Sequence, residues 1–418
     1  MKTTTNRRLA VSGTFTLLMA GAAPALATEG YFALGYGPVQ RGTAGAGVAH
    51  PGGDAMAAAL NPAAVAGMGR ELSLGLELFV PDRGYEGIGT FFVPAESVRG
   101  GDQIFPIPHF AYNMPLQNGG VLNFAAYGNG GMNTSYPDGL GGCGSVFCGG
   151  PAGVDLSQLF VSASYARQSG GFSWGIAPTL AIQAFKAEGL GAFTGISTNG
   201  AALTDNGYDY SVGFGLRAGI QAEVTPGLRF GLSGQTRFNM SEFEDYAGLF
   251  EGGGDFDIPA SVTAGVAWDA QPDLTVMLDY QRIFYSDVGA VGNATNAGPL
   301  GADGGAGFGW DDVDVVKLGL EWRKTDAMTL RFGYAYATNP IGPEDVTLNI
   351  LAPGVVEHHL TAGGSWQVTA RDRIDLSVVY ALNNSVTGPE TTPAGPTPGS
   401  VAIDMDQFAV SVGWVRRF

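Results

Sequence analysis

The histidines are the first candidates for chemistry in this sequence, because imidazole serves both in acid–base catalysis and as a metal ligand. The chain has four: His50, His109, His358 and His359. None stands in a spacing typical of a Ser/His/Asp triad or of a metal site. His358 and His359 are neighbours in a predicted strand, so they would face opposite ways and could not share a ligand. The sequence therefore predicts no catalytic residues, no metal site and no cofactor, and we expect the protein not to be an enzyme.

A stretch rich in glycine and aspartate, residues 301–314, carries oxygen atoms of the kind that bind calcium. Its carboxylates are those of Asp303, Asp311, Asp312 and Asp314. The same composition is typical of a solvated acidic loop, which is the interpretation that we favour.

Two cysteines, Cys143 and Cys148, lie five residues apart in a glycine-rich segment. Two thiols with no histidine nearby make an incomplete zinc site. In an exported protein, such a pair favours a small disulfide over a metal site. The prediction is a Cys143–Cys148 disulfide.

The N-terminus indicates export. Lys2, Arg7 and Arg8 form a basic start, an apolar stretch follows, and residues 25–27 offer a small-x-small cleavage site. The apolar stretch is too short and too interrupted for the ~20 residues that a membrane-spanning helix needs. Residues 1–27 are therefore predicted to be a cleaved signal peptide, and the mature chain to begin near Thr28.

The composition is unusual for a soluble protein. Only 14% of the chain is charged, and 67 of 418 residues are glycine. Few charges without a membrane-spanning helix indicate either a β-rich secreted protein or a membrane barrel. The net charge is −17, and removal of residues 1–27 takes away three further cations. Nucleic acid is therefore not an expected partner, because phosphate binding needs clustered cations.

From Arg70 onward the chain repeats a run of about ten residues in which large apolar side chains alternate with small or polar ones. In the last run, Phe408, Val410 and Val412 share one parity, while Ala409 and Ser411 share the other. Successive side chains of a strand point to opposite faces, so each run has an apolar and a polar face. Aromatic residues toward the run ends suit the girdles at membrane interfaces; they are Tyr85, Trp174, Tyr285, Trp310, Trp322, Trp366 and Trp414.

A soluble sandwich would alternate too, but the connections between the runs favour a barrel. The short ones are 114–120, 168–171, 225–227, 269–273, 324–327 and 369–372. The long ones are 81–103, 129–153, 189–207, 244–257, 287–309, 339–356 and 383–403. Long and short connections alternate strictly, as extracellular loops and periplasmic turns do in outer-membrane barrels. Residues 70–418 are therefore predicted to form an all-β, fourteen-stranded antiparallel transmembrane barrel.

Residues 28–69 differ from the rest, because half of them are Gly or Ala and only Glu29, Arg41 and Asp54 are charged. A segment of this size cannot bury a core by itself. It could be a periplasmic tail or a plug inside the lumen. The composition favours the plug, since a free tail would be more polar.

Two motifs in this segment are specific. Arg41-Gly-Thr-Ala-Gly-Ala-Gly-Val-Ala-His50 is followed by Asp54-Ala-Met-Ala-Ala-Ala-Leu and then by Asn61, Pro62 and Ala63. Together they resemble the N-terminal hatch of the FadL/TodX family, outer-membrane channels for long-chain fatty acids and hydrophobic aromatics. Residues 128–134, 153–158 and 349–359 carry further matches to the family, and the order of the motifs strengthens the resemblance.

The resemblance implies a fourteen-stranded barrel whose lumen is closed by the hatch. Ligand would be caught in a groove among extracellular loops and held in a luminal site. It would then leave sideways at an inward kink in the third strand. Here that strand is predicted over Val121–Tyr127, and Gly128 and Gly130 are the candidates for the lateral exit, since glycine allows a strand to bend away. Alternatively, these glycines only begin a loop.

A fatty-acid carboxylate in the lumen would need a cation, because an unpaired buried charge is costly. The predicted lumen-facing cations are Arg217, Arg229, Arg237, Lys317 and Arg331. Alternatively, they pair with luminal acids such as Asp209, Asp279 and Glu321, or the ligand is an uncharged hydrocarbon that needs no cation.

The sequence thus predicts a channel of the Gram-negative outer membrane for long-chain fatty acids or other hydrophobic small molecules. We expect it to be a monomer, in contact with outer-membrane lipid, and recognised by the barrel assembly machinery through the terminal Phe418. The alternatives are a general porin or structural barrel and, less favoured, a membrane lipid hydrolase. Loop residues expected to capture the ligand are Phe91, Phe92, Val93, Phe105, Phe147, Leu190, Phe193, Leu249, Phe250, Ile350 and Leu351.

Overall fold

The computed structural model describes residues 29–101, 103–392 and 395–418. The predicted signal peptide, residues 1–27, and its cleavage site near Thr28 lie outside the described residues. In the part of the chain that is described, no helix is long and apolar enough to cross a membrane.

Fourteen antiparallel strands form one sheet, which closes because the first strand pairs with the last from Glu71↔Arg417 to Ile88↔Ser400. Closure pairs the first strand with the last, so neither of them exposes an unpaired edge to lipid. This confirms the predicted fold class. The strands are β1 (Glu71–Ile88), β2 (Phe105–Pro115), β3 (Gly120–Asn133), β4 (Gly153–Ser169), β5 (Phe172–Glu188), β6 (Asp209–Thr225), β7 (Leu228–Gln235), β8 (Ser261–Gln271), β9 (Leu274–Ile283), β10 (Val313–Thr325), β11 (Met328–Ala337), β12 (His358–Gln367), β13 (Asp372–Thr392) and β14 (Gly395–Arg417). Two short strands, Ser97–Arg99 and Asn239–Met240, lie in loops and pair with β1 and β6.

The alternation of side chains gives the barrel its two faces. On β14, Phe408, Val410 and Val412 are exposed on the outer face, whereas Ala409 and Ser411 are buried on the inner face. An apolar outer band suits contact with lipid, since hydrocarbon cannot satisfy polar groups.

The alternation of long and short connections is confirmed over the first twelve connections. The prediction was wrong for the last long loop, Asn383–Ile403, because β13 and β14 continue through it as a paired ladder from Asn384↔Met405 to Thr392↔Gly395. The predicted first loop likewise begins too early, since β1 extends through Pro81 to Ile88. Pro81 and Pro389 both lie within these ladders, because the missing N–H of proline is tolerated where the strand needs no donor on that side.

The N-terminal segment, residues 29–69, consists of two short helices, α1 (Gly37–Arg41) and α2 (Ala57–Leu60), and a 3-10 helix, Pro62–Val65. Helix α1 contacts β1, β12, β13 and β14, whereas the 3-10 helix contacts β4, β5 and β6 on another part of the wall. The segment therefore packs inside the ring of strands.

Glycines of the wall let this segment approach the strand backbones. A Cβ on Gly219 of β6 would lie 2.0 Å from Oδ1 of Asn61, and one on Gly231 of β7 would lie 2.3 Å from the carbonyl oxygen of Val48. A side chain at either position would overlap the segment. The small residues of the segment and the glycines of the wall thus fit each other.

The aromatic core lies between this segment and the extracellular loops. Tyr31 packs edge-on against Tyr285, with ring centroids 5.0 Å apart, and Tyr285 packs in the same way against Trp310. The girdle prediction was therefore wrong for Tyr85, Tyr285 and Trp310, which are buried, while Trp174, Trp322 and Trp366 are exposed. Position near a strand end fits both environments, so the sequence alone does not distinguish them.

Candidate functional site

Strands β2 and β3 separate within the barrel wall. They pair from Pro115↔Val121 to His109↔Tyr127, and no pairing is recorded beyond that point among the described residues. The remaining residues of β2, Phe105–Pro108, pair with β1 alone. Two of them are prolines, which cannot donate a backbone hydrogen bond. The ladder between β2 and β3 is therefore interrupted toward the extracellular end.

The N-terminal segment takes the place of β2 along the freed edge of β3. The N–H of Ala33 donates to the carbonyl of Asn129 at 2.8 Å, and the N–H of Gly131 donates to the carbonyl of Tyr31 at 3.1 Å. β3 continues through Asn133. The prediction that the strand spans only Val121–Tyr127 was therefore wrong. The alternative, that its glycines only begin a loop, was wrong as well.

Gly128 and Gly130, the candidates for the lateral exit, lie where β2 and β3 part. The register between β3 and β4 shifts between these two residues, which marks a bulge. A Cβ on Gly130 would lie 1.9 Å from the carbonyl oxygen of Tyr31. Glycine at position 130 thus allows the N-terminal segment to reach the strand, a role that the sequence analysis did not assign to it.

The hydroxyl of Tyr285 holds the start of the segment. It accepts hydrogen bonds from the N–H groups of Tyr31 and Phe32 at 3.0 and 3.1 Å and donates to the carbonyl of Glu29 at 2.6 Å. One hydroxyl has one donor and two acceptor positions, so Tyr285 is fully used. Sequence reasoning missed this role, and no local signal in the sequence would have revealed it.

The Asn61-Pro62-Ala63 motif joins the segment to the wall. Asn61 is extended, with φ −144° and ψ 112°, as expected for a residue before proline. Its Oδ1 accepts from the N–H of Ala63 at 2.9 Å, and its Nδ2 donates to the carbonyls of Val48 at 2.7 Å and Ile220 at 3.2 Å. Asn61 is fully buried, so all of these bonds are shielded from water.

Most of the predicted head-group cations are paired with acids. Lys317 lies 2.7 Å from Glu29, Arg331 lies 2.7 Å from Glu321, and Arg229 lies 2.6 Å from Asp269. Arg237 does not belong to the wall as expected: it follows the end of β7 and pairs with Asp257 at 2.6 Å. Of the three acids proposed as partners, Glu321 has this role. Asp279 instead accepts the N–H groups of Gly47 and Val48, and Asp209 accepts those of Tyr210 and Asp245.

Arg217 differs from the other cations, because no ion pair includes it among the described residues. Its guanidinium donates to Oε1 of Gln235 at 2.6 Å and lies over the ring of Tyr36, 5.6 Å from the centroid. It borders a cavity of about 20 Å³, which also touches Ser233, Thr263 and Gln281. A cavity of this size holds about one water molecule.

A larger cavity of about 410 Å³ opens among the extracellular loops. It lies between the loops 189–208, 284–312 and 338–357 and the tip of the β13–β14 hairpin. Its lining includes Phe193, Ile196, Pro299, Leu300, Ala306, Glu344, Thr347, Leu348, Thr391 and Thr392. Among the described residues that line it, Glu344 is the one charged side chain. We call this cavity the outer groove.

Most of the loop residues expected to capture ligand do not line the outer groove. Phe193 does so, whereas Phe147, Phe250, Ile350 and Leu351 are buried in the packing between loops.

Cys143 and Cys148 form a disulfide in the loop after β3, as predicted. Asp312 and Asp314, considered as calcium ligands, form ion pairs with Arg282.

The sequence model of the family described as outer membrane protein transport protein (OMPP1/FadL/TodX) matches residues 28–414. None of the curated protein sequences matches the chain.

Several solved structures share the fold. The toluene transporter TodX of Pseudomonas putida is 18% identical, with a TM-score of 0.68 over 92% of this chain and 99% of that chain. A FadL homologue of Pseudomonas aeruginosa is 16% identical, with a TM-score of 0.70 over 93% and 100%. The toluene transporter TbuX of Ralstonia pickettii is 20% identical, with a TM-score of 0.62 over 92% and 98%.

The family consists of transport channels and not of enzymes, and its barrel lies in the Gram-negative outer membrane. With a family match over nearly the whole length and a closed fourteen-stranded barrel, the chain belongs to the OMPP1/FadL/TodX family of outer membrane transport proteins for hydrophobic compounds.

Proposed function

We propose that this protein takes up long-chain fatty acids or other hydrophobic molecules by capture in the outer groove, binding in the lumen and lateral exit between β2 and β3. The observation that carries the proposal is the interrupted ladder beyond His109↔Tyr127. Because β2 and β3 do not pair beyond this point, an apolar solute would leave the barrel between them, past the N-terminal segment that borders β3, and would not cross the whole lumen.

Capture of a ligand depends on the apolar surface that the outer groove offers. Phe193, Leu300 and Leu348 line the outer groove and offer apolar surface to a ligand. Each 100 Å² of apolar surface that ligand and groove bury together contributes about 2.5 kcal/mol before the entropy of binding is subtracted. Binding above the polar surface of the membrane thus removes the barrier that a hydrophobic solute meets there.

Charge favours an uncharged ligand in the outer groove. Its one charged lining residue in the described chain is the acid Glu344, which would repel a fatty-acid carboxylate. In the lumen, Arg217 is the head-group candidate without an acidic partner among the described residues, and it would be the contact for a carboxylate. The other candidates already have their charges compensated.

The remaining parts of the chain have supporting roles in this proposal. Residues 1–27 direct export and are removed, residues 28–69 form the hatch, and residues 70–418 form the barrel. The terminal Phe418, which is exposed, would be presented to the barrel assembly machinery. The protein would act as a monomer in the outer-membrane lipid.

Uptake of radiolabelled toluene and palmitate by cells with and without the protein tests this function. Faster uptake of either probe supports it, and a larger effect for toluene supports the uncharged ligand. Uptake of small sugars instead would identify a general porin, and release of fatty acid from phospholipid would identify a hydrolase. If the protein changed neither the uptake of these solutes nor the release of fatty acid, the result would favour a structural barrel.

The lateral exit needs its own variant. Gly130 is unsuitable, because a side chain there would also displace Tyr31. Gly128→Val places a branched side chain beside the gap, where it should narrow the exit. We expect ligand binding to be retained and uptake to fall; normal uptake by a correctly folded variant would exclude this route.

A further inference from the structure

The disulfide closes a six-residue ring, Cys143–Cys148, in the loop between β3 and β4. Both cysteines are exposed, whereas Ser145, Val146 and Phe147 within the ring are buried. The ring therefore exposes its two cysteines and inserts Val146 and Phe147 between neighbouring loops.

Phe147 packs against two other aromatic rings. Its centroid lies 5.0 Å from that of Phe193 and 5.9 Å from that of Phe92. Its carbonyl also accepts a hydrogen bond of 2.8 Å from the N–H of Ala192, the neighbour of Phe193. Both the ring and the backbone of Phe147 thus fix the position of residues 192–193.

The conformation that turns Phe147 inward is constrained. Cys148 has φ +58°, a region that non-glycine residues seldom adopt. The close approach of the next loop adds to the constraint, because a Cβ on Gly191 would lie 2.9 Å from the carbonyl oxygen of Cys148. The ring closed by the disulfide maintains this backbone.

Phe193 lines the outer groove, whereas Phe147 does not. We propose that the disulfide-bonded ring positions Phe147 behind Phe193 and so sets the width, and with it the ligand selectivity, of the outer groove. This inference rests on the proposed capture of ligand in that groove. Phe147 and the two cysteines are positioning residues, since they act through Phe193.

The test compares selectivity and not uptake alone. We would measure KM and Vmax for toluene and for palmitate in cells that carry the wild type, Phe147→Ala, or Cys143→Ser with Cys148→Ser. With Phe193 no longer supported, we expect the KM for toluene to rise about threefold or more and the KM for palmitate to change less, with Vmax retained. A loss of folded protein would instead lower Vmax for both probes and leave the ratio of the two KM values unchanged.

Glu96→Gln is the matched control, because Glu96 accepts the exposed N–H of Gly141 in the disulfide loop. Among the described residues, the aromatic contacts of Phe147 are with Phe92 and Phe193. Its KM ratio should equal that of the wild type. If the cysteine variant fails to fold, Phe147→Ala still tests the inference with the disulfide intact.

Hydrogen exchange at the backbone of the next loop gives a second readout. The amide of Ala192 should exchange hydrogen faster in both test variants, because its acceptor on Phe147 is no longer held. Unchanged KM ratios in folded variants would overturn this inference while leaving the proposed function in place. A wild type that imports neither probe would overturn both.

Discussion

The carboxylate of Glu29 lies 2.7 Å from the ammonium group of Lys317, and both side chains are almost completely buried. Glu29 is the first described residue of the N-terminal segment, and Lys317 lies on the inner face of β10. Burial raises the pKa of Glu29, while the positive charges of Lys317 and Arg41 act in the opposite direction. The ion pair thus ties the start of the segment to the barrel wall where water cannot screen it.

Removal of one partner should release the start of the segment. Glu29→Gln leaves the buried Lys317 unpaired, and breaking a buried pair in this way costs about 3–5 kcal/mol. We expect larger or more frequent openings in planar bilayers. The double variant Glu29→Gln with Lys317→Met removes both charges and should open less often than the single variant. Equal conductance of wild type and Glu29→Gln would show that the ion pair does not hold the lumen closed.

Docking of the segment should weaken as the pH rises. Burial raises the pKa of Asp54 to about 7, against the attraction of Arg373. The docked carboxyl group therefore keeps a proton that a free aspartate loses above about pH 4. Since docking binds this proton, it is most favourable below about pH 4 and loses free energy as the pH rises toward 7.

Conductance measured between pH 4 and pH 8 tests this pH dependence. The wild type should open more often as the pH rises. Asp54→Asn cannot ionise and should remove most of the slope, while still accepting the N–H of Met56 through its amide oxygen. A slope that persists in Asp54→Asn would assign the effect to another group.

The fit between wall and segment predicts the effect of one methyl group. Gly219→Ala would place a Cβ 2.0 Å from Oδ1 of Asn61, so the segment must move. Gly234→Ala is the control, since its Cβ would have only one neighbour, at 3.7 Å. Both barrels should run faster on SDS gels before boiling than after it, but only Gly219→Ala should show raised conductance. Identical conductance of the two variants would contradict the close packing at Asn61.

Deletion of residues 28–60 tests the segment as a whole. The closed ladder does not include these residues, so the barrel should still insert and resist SDS. The lumen should then conduct ions more readily than that of the wild type. Unchanged conductance would mean that the segment does not block the path of the ions.

The number of strands could be predicted from the sequence because the signals are local. Residues such as Phe408, Val410 and Val412 recur at every second position, and this period assigns them to one face of the sheet. The assignment needs no knowledge of the partner strand. The extended conformation of Asn61 follows from Pro62 in the same way. The prediction of a loop failed at residues such as Pro389, because pairing with β14 continues there and depends on a partner strand that local signals do not show.

The candidate site depends on pairs that only the closed barrel brings together. Tyr285 binds the N–H of Tyr31 from 254 positions away along the chain. Lys317 lies even farther from Glu29 in the sequence. Sequence alone identified Lys317 and Arg217 as equal candidates for a head group. The tertiary structure separates them, because the position of the N-terminal segment places an acid beside Lys317 and a tyrosine ring beside Arg217. Local alternation thus determined the barrel, and its closure around the segment decided which charges remain available to a ligand.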